Sequence, residues 1–152
     1  MVLERSQRTR NGGLWGLPGG RLERGEAPHD GARREAVEEL RRLPPLELLG
    51  RFSVRRARAG RYEIFVCRAP SGIRARWRPK LNGEHTEWRW VRLEWLLAEH
   101  KRLHPVLRTL FDKPDGLRAL SRVLNERHAS IEGVPPRRRD QTLIIEGRTE
   151  AA

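Results

Sequence analysis

An α/β fold is predicted by three features of this 152-residue sequence. A charged helix follows a glycine turn and stops at a proline pair. Two strands rich in β-branched and aromatic residues come directly after it. A third, alternating strand then leads into helical segments. Strands interleaved with helices in this way point to sheets covered by helices.

Each element has its own local reason. Val2-Leu3 opens a short strand, and Arg10-Asn11-Gly12-Gly13 is a polar turn. Leu14 to Pro18 is short and apolar, and Gly19-Gly20 then favours a turn or a close backbone approach. Pro28 sits well near a helix start, with Asp30 in the first turn. That helix is expected to run to about Arg42, because Pro44-Pro45 stops it. Leu46 to Val54 and Arg61 to Arg68 read as paired strands turning at Ala59-Gly60. Pro70 to Asn82 reads as a loop, and Glu87 to Leu93 alternates as a strand. "EWLLAEHKRL", "HPVLRTLF" and "GLRALSRVLNERH" are helical in pattern. These elements give one domain over 1–129. Residues 130–152 read as a basic, flexible tail, within which "TLIIEG" (Thr142 to Gly147) is able to dock as an edge strand.

Composition narrows the function classes. The formal net charge is +12 and 34% of residues are charged, which favours anionic partners such as nucleotides. An Arg-rich solvated surface accounts for the same charge equally well. Cys67 is the one cysteine, so no internal disulfide forms, in keeping with a reducing compartment. No apolar run approaches the roughly 20 residues that span a bilayer. The N-terminus lacks the apolar core of a signal peptide. The expected setting is cytoplasmic, with no membrane partner.

The helix carries the chemistry. At about 100° per residue, Glu35, Glu38 and Glu39 fall within an arc of about 100°. Ala32, Ala36 and Leu40 form an apolar stripe beside them, which Val37 extends. Like charges this close repel unless neutralised. A hard divalent cation with oxygen ligands neutralises them well. Alternatively, Arg33, Arg34, Arg41 and Arg42 supply the counter-charge on an ordinary solvated face, and for "REAVEEL" in isolation that reading would win.

The surrounding spacing changes that balance. Gly20 precedes Glu26 by five intervening residues, seven more lead to Arg34-Glu35, and Glu38-Glu39 follow after Ala36 and Val37. With the preceding "WGLP", this resembles the signature of the Nudix hydrolases. The resemblance implies an α/β/α sandwich with a mixed β-sheet and a loop-helix-loop metal site. It also implies hydrolysis of a nucleoside diphosphate linked to another moiety (a nucleoside triphosphate, nucleotide-sugar or dinucleotide), with Mg²⁺ or Mn²⁺. By position, Glu35, Glu38 and Glu39 would be metal ligands or the base, with no choice among them for the base. A carbonyl of Gly19 or Gly20 would be a further ligand, and Glu26 and Arg34 would pair to hold the loop on the helix. Two departures stand out. The signature's closing glycine and apolar residue are Arg41 and Arg42 here. The family's usual first strand is lacking, and upstream residues of a longer protein are the favoured filler of that gap, ahead of "TLIIEG" or a partner subunit.

"LNGEHTEWRWVRLEWLL" resembles the second half of such domains. There an acidic residue would complete the metal site, with Glu84 the first choice and Glu87 the second. Arg74 and Arg76, with Arg78 and Lys80, are candidates to meet substrate phosphates; a solvated loop explains them equally well. Trp77, Trp88, Trp90 and Tyr62 fit core packing better than base stacking. His85 and His104 fit local packing better than catalysis. The leading expectation is thus a metal-dependent hydrolase acting on a nucleotide-type small molecule. The alternative is a non-catalytic Nudix-like module binding a nucleotide or RNA, with nucleic acid the less favoured partner.

Overall fold

A computed structural model describes residues 1–56, 60–125 and 141–149 of the chain. Its elements, in order, are β1 (Val2–Arg5), β2 (Trp15–Gly16), β3 (Gly19–Arg21), α1 (Pro28–Leu40), β4 (Glu47–Arg56) and β5 (Gly60–Ala69). There follow α2 (Ile73–Arg76), β6 (His85–Arg89), α3 (Leu93–Ala98), a 3₁₀ turn (His100–Arg102), α4 (Pro105–Asp112), α5 (Pro114–Asn125) and β7 (Gln141–Thr149). One sheet has the order β2-β1-β6, with both pairings antiparallel. The other is mixed, in the order β3-β7-β5-β4, and only its β3–β7 pairing is parallel.

Alternation along β5 sorts the core into two layers. Tyr62, Ile64 and Val66 join Val106, Leu107 and Leu110 of α4 and Leu120 of α5. Phe65 and Cys67 face the other way, onto Ala32, Ala36 and Leu40 of α1. β1 splits likewise, Val2 to the first layer and Leu3 to the second. Helices therefore cover both sides of the strands, and the fold is α/β, as the sequence implies. Trp77, Trp88 and Trp90 cluster edge to face within the α1 layer, and Tyr62 is buried in the other, so these aromatics are core.

Helix α1 begins with proline in its first turn and Asp30 beside it, where the fixed φ and the exposed N–H groups suit them. Its buried face is Gly31, Ala32, Ala36, Glu39 and Leu40. Burying Leu40 completely stabilises the fold by about 1.5–3 kcal/mol. Val37 does not extend that face: it is 41% exposed, one step too far around the helix. The helix also ends at Leu40 rather than at Arg42, because Arg41 takes a left-handed φ of 66°. The freed carbonyls of Glu39 and Leu40 accept from the backbone N–H groups of Asn82 and Lys80 at 3.0 and 3.2 Å.

Four further expectations are corrected. The Pro70 to Asn82 loop contains the short helix α2. The strand expected over Glu87 to Leu93 lies at His85–Arg89, where it pairs with β1. "EWLLAEHKRL" breaks at Glu99 into α3 and a 3₁₀ turn. "TLIIEG" is not an edge strand: it lies inside β7, which pairs with β5 along its whole length and with β3 at Glu146 to Arg148. The rest of the predicted tail, 130–140 and 150–152, lies outside the described residues.

Candidate active site

The glycine turn and α1 meet at the acidic residues. Gly19, with φ 145°, has a conformation that only glycine enters freely, and its N–H donates to Glu39 Oε2 at 2.9 Å. Glu39 is 4% exposed, a buried carboxylate fixed by a backbone donor. Gly20 lies directly under Glu35: a Cβ there would fall 2.2 Å from Glu35 Oε2. The second glycine thus leaves a cradle that the carboxylate occupies.

Arg34 gathers the remaining acids. Its Nη1 donates to Glu35 Oε1 and Glu38 Oε1, both at 3.0 Å. Its Nε and Nη2 grip both oxygens of Glu26 at 3.0 and 3.1 Å, and Nη2 also donates to the Arg21 carbonyl at 2.9 Å. Glu26 in turn accepts from the Glu23 N–H, so the loop is tied to the helix. Hydrogen bonds from Arg34 and then from Glu23 hold the Glu26 carboxyl below its ordinary range. The same bonds, that to Glu26 foremost, push the Arg34 guanidinium further up, so it is permanently charged.

Asn82, not singled out by the sequence, and His85 close on the acids from the loop before β6. His85 is buried, with Nε2 3.8 Å from Glu39 Oε1 and Nδ1 3.3 Å from Asn82 Oδ1. Burial, then the charge of Arg5, pulls its pKa down to about 4, so the ring is neutral near pH 7. The signal was present in "LNGEH", but its link to α1 is the backbone bond from Asn82 to Glu39, which periodicity does not reveal.

The other candidates lie further out. Glu84 is 58% exposed at its side chain and sits 3.7 Å from Arg5, next in the chain to His85. Glu87 is turned to Arg89, which bonds both of its oxygens at 2.8 and 3.1 Å. Arg74 and Arg76 project from α2 as exposed side chains, and no bond joins them to α1 among the described residues. His104 caps α4 through Nδ1, and its Nε2 meets Asn11 at 3.2 Å.

A metal ion suits this donor set. It offers three carboxylates on one helix arc, two of them set against the double-glycine turn. Among the described residues no three such side chains close on one point, because Glu35 and Glu38 are turned to Arg34 and Glu39 to Gly19. None of the described helices is long and apolar enough to cross a membrane.

Sheets flanked by helices, with an acidic helix packed on a double-glycine turn, define an α/β domain with a loop-helix carboxylate site. The family model for the NUDIX domain matches residues 1–113, and the chain belongs to the Nudix family. No curated protein and no solved structure matches it.

Proposed function

We propose that this protein is a divalent-metal-dependent hydrolase that cleaves the pyrophosphate linkage of a nucleoside diphosphate derivative. The observation that carries the reading is Glu39, buried and bonded to Gly19, and Glu35, set over Gly20, with Glu38 joined to Glu35 through Arg34. A binding module has no need of three acids on one helix arc at such a place.

In this reading Glu35, Glu38 and Glu39, with a carbonyl of Gly19 or Gly20, hold Mg²⁺ or Mn²⁺. The cations, when bound, offset the charge of the pyrophosphate oxygens and position a water. One carboxylate removes the proton of that water. Glu38 is the most exposed of the three, at 57% of its side chain, and is the one best able to leave Arg34 for the water. Glu39 is held too firmly by Gly19 to swing, so its part is to fix a ligand position. Arg34 and Glu26 keep the loop on the helix and preserve the spacing of the acids. Glu84, exposed at the start of β6 and one residue from His85, is the candidate for a further ligand. Arg74 and Arg76 are available as exposed cations for outer phosphates.

The test is a panel of nucleoside triphosphates, nucleotide-sugars and dinucleotides with Mg²⁺, read by coupled phosphate release. Turnover of at least one member, abolished by a chelator, is the expected result. Binding without turnover across the panel would favour the binding-module reading.

A further inference from the structure

We infer that the C-terminal strand β7 is a positioning element for the carboxylate site, so that docking of β7 and binding of a metal ion at α1 form one linked equilibrium. This rests on the reading of that site as a metal site. The coupling can be followed bond by bond. β3 has three residues and lies at the edge of its sheet, and among the described residues β7 is its one strand partner there. Gly19, Gly20 and Arg21 stand in register with Glu146, Gly147 and Arg148. A strand this short does not hold its geometry alone. β7 is itself fixed on its other side, where every position from Gln141 to Thr149 pairs with β5 between Ala69 and Arg61.

The turn that β7 pins is the one that touches the acids. Gly19 donates to Glu39, and Gly20 makes the floor under Glu35. If β7 leaves, β3 loses its partner and β5 is left with an unpaired edge. The Gly19 N–H then no longer has a fixed aim at Glu39. Linkage is reciprocal: an ion that binds only the assembled site stabilises the docked strand by the same factor by which docking improves its binding.

The chain's one cysteine supplies the probe. Cys67 stands directly opposite Leu143 in the antiparallel β5–β7 ladder. Opposed residues there have Cα atoms about 4.5–5.5 Å apart, within the span that a disulfide bridges. Leu143→Cys, refolded from denaturant in a mixture of reduced and oxidised glutathione so that Cys67 is reached before it is covered, is expected to form an intrachain disulfide, seen as loss of two hydrogens in the intact mass of a monomer. Ile144→Cys, opposite Val66 on the other face, is the control and should not. Mn²⁺ is the metal probe. The oxidised Leu143→Cys protein should bind it as well as wild type, whereas Ile145→Pro, which removes an N–H from the ladder opposite Phe65, should bind it about tenfold or more weakly. As a check that needs no folded proline variant, hydrogen exchange at 141–149 of the wild type should slow when Mn²⁺ is added. No disulfide in Leu143→Cys, a disulfide only between chains, or exchange at 141–149 unchanged by Mn²⁺ would overturn the inference. None of these readouts requires turnover, so a protein that couples Mn²⁺ to β7 yet hydrolyses nothing would refute the hydrolase reading alone.

Discussion

Gly20→Ala separates catalytic placement from fold stability. The new Cβ would lie 2.2 Å from Glu35 Oε2 and 2.4 Å from its Cδ. Ordinary contact begins near 3.4 Å, so the carboxylate must retreat by about 1.2 Å. The atoms in the way are the far end of a flexible side chain, which makes the retreat cheap in packing energy. Gly20 does not share the positive φ of Gly19, so alanine suits its backbone. Loss of glycine freedom in the unfolded chain contributes about 0.4–1 kcal/mol in favour of the variant. The Arg34–Glu35 bond is strained in return, so the net change in stability should lie within about 1 kcal/mol. Function should respond differently, since a misplacement of about 1 Å at a catalytic group costs on the order of 10² in rate. The assay pairs the hydrolysis rate on a panel substrate with a thermal melt. A rate equal to wild type, with an unchanged melt, would refute the placement of Glu35 over Gly20 as part of the machinery.

Other expectations follow from single positions. Arg41→Gly should raise the melting midpoint by roughly 2–4 °C: it relieves about 1 kcal/mol of left-handed strain, and a lower midpoint in calorimetry would show that Arg41 makes compensating contacts. Burial pushes the Cys67 thiol up to about 11, so it should resist a thiol reagent near pH 8 until the protein unfolds; rapid labelling of the native protein would contradict its place beneath α1. Calcium should compete with Mg²⁺ for binding yet support less turnover, because its looser geometry positions the water poorly; equal rates with the two ions would remove geometry from the mechanism.

The parts legible in the sequence are those set by local rules. α1 and its acids follow from a proline start, helical spacing and a proline stop, and β4 and β5 from their β-branched and aromatic residues. The helix end is not legible, because arginine at position 41 gives no local sign of a left-handed cap, which glycine would announce. β3 read as a turn because two glycines suggest one, and its strand geometry is conferred by β7, more than a hundred residues away. That distance also hid the central place of "TLIIEG", since pairing between remote segments leaves no periodic trace. Glu63 shows the same limit. Inside an apolar strand run it looks misplaced, yet it is 2% exposed and held by Ser53 and Arg51 across the β4–β5 ladder and by Arg61 two positions earlier on β5. Similarly, His85 and Asn82 reach Glu39 only once the loop before β6 crosses the end of α1.

The most direct test of the central claim is the Mg²⁺-dependent hydrolysis rate of wild type beside Glu38→Gln and Glu39→Gln. Glutamine keeps the shape of each side chain, and at residue 39 it retains an oxygen able to accept from Gly19, so both variants should fold with unchanged circular dichroism. The account predicts that each loses roughly 10²–10⁴ in turnover, as expected when a metal ligand or general base is removed, and that a chelator brings wild type to the same low level. Wild-type rates in both variants, or full activity in excess chelator, would contradict it.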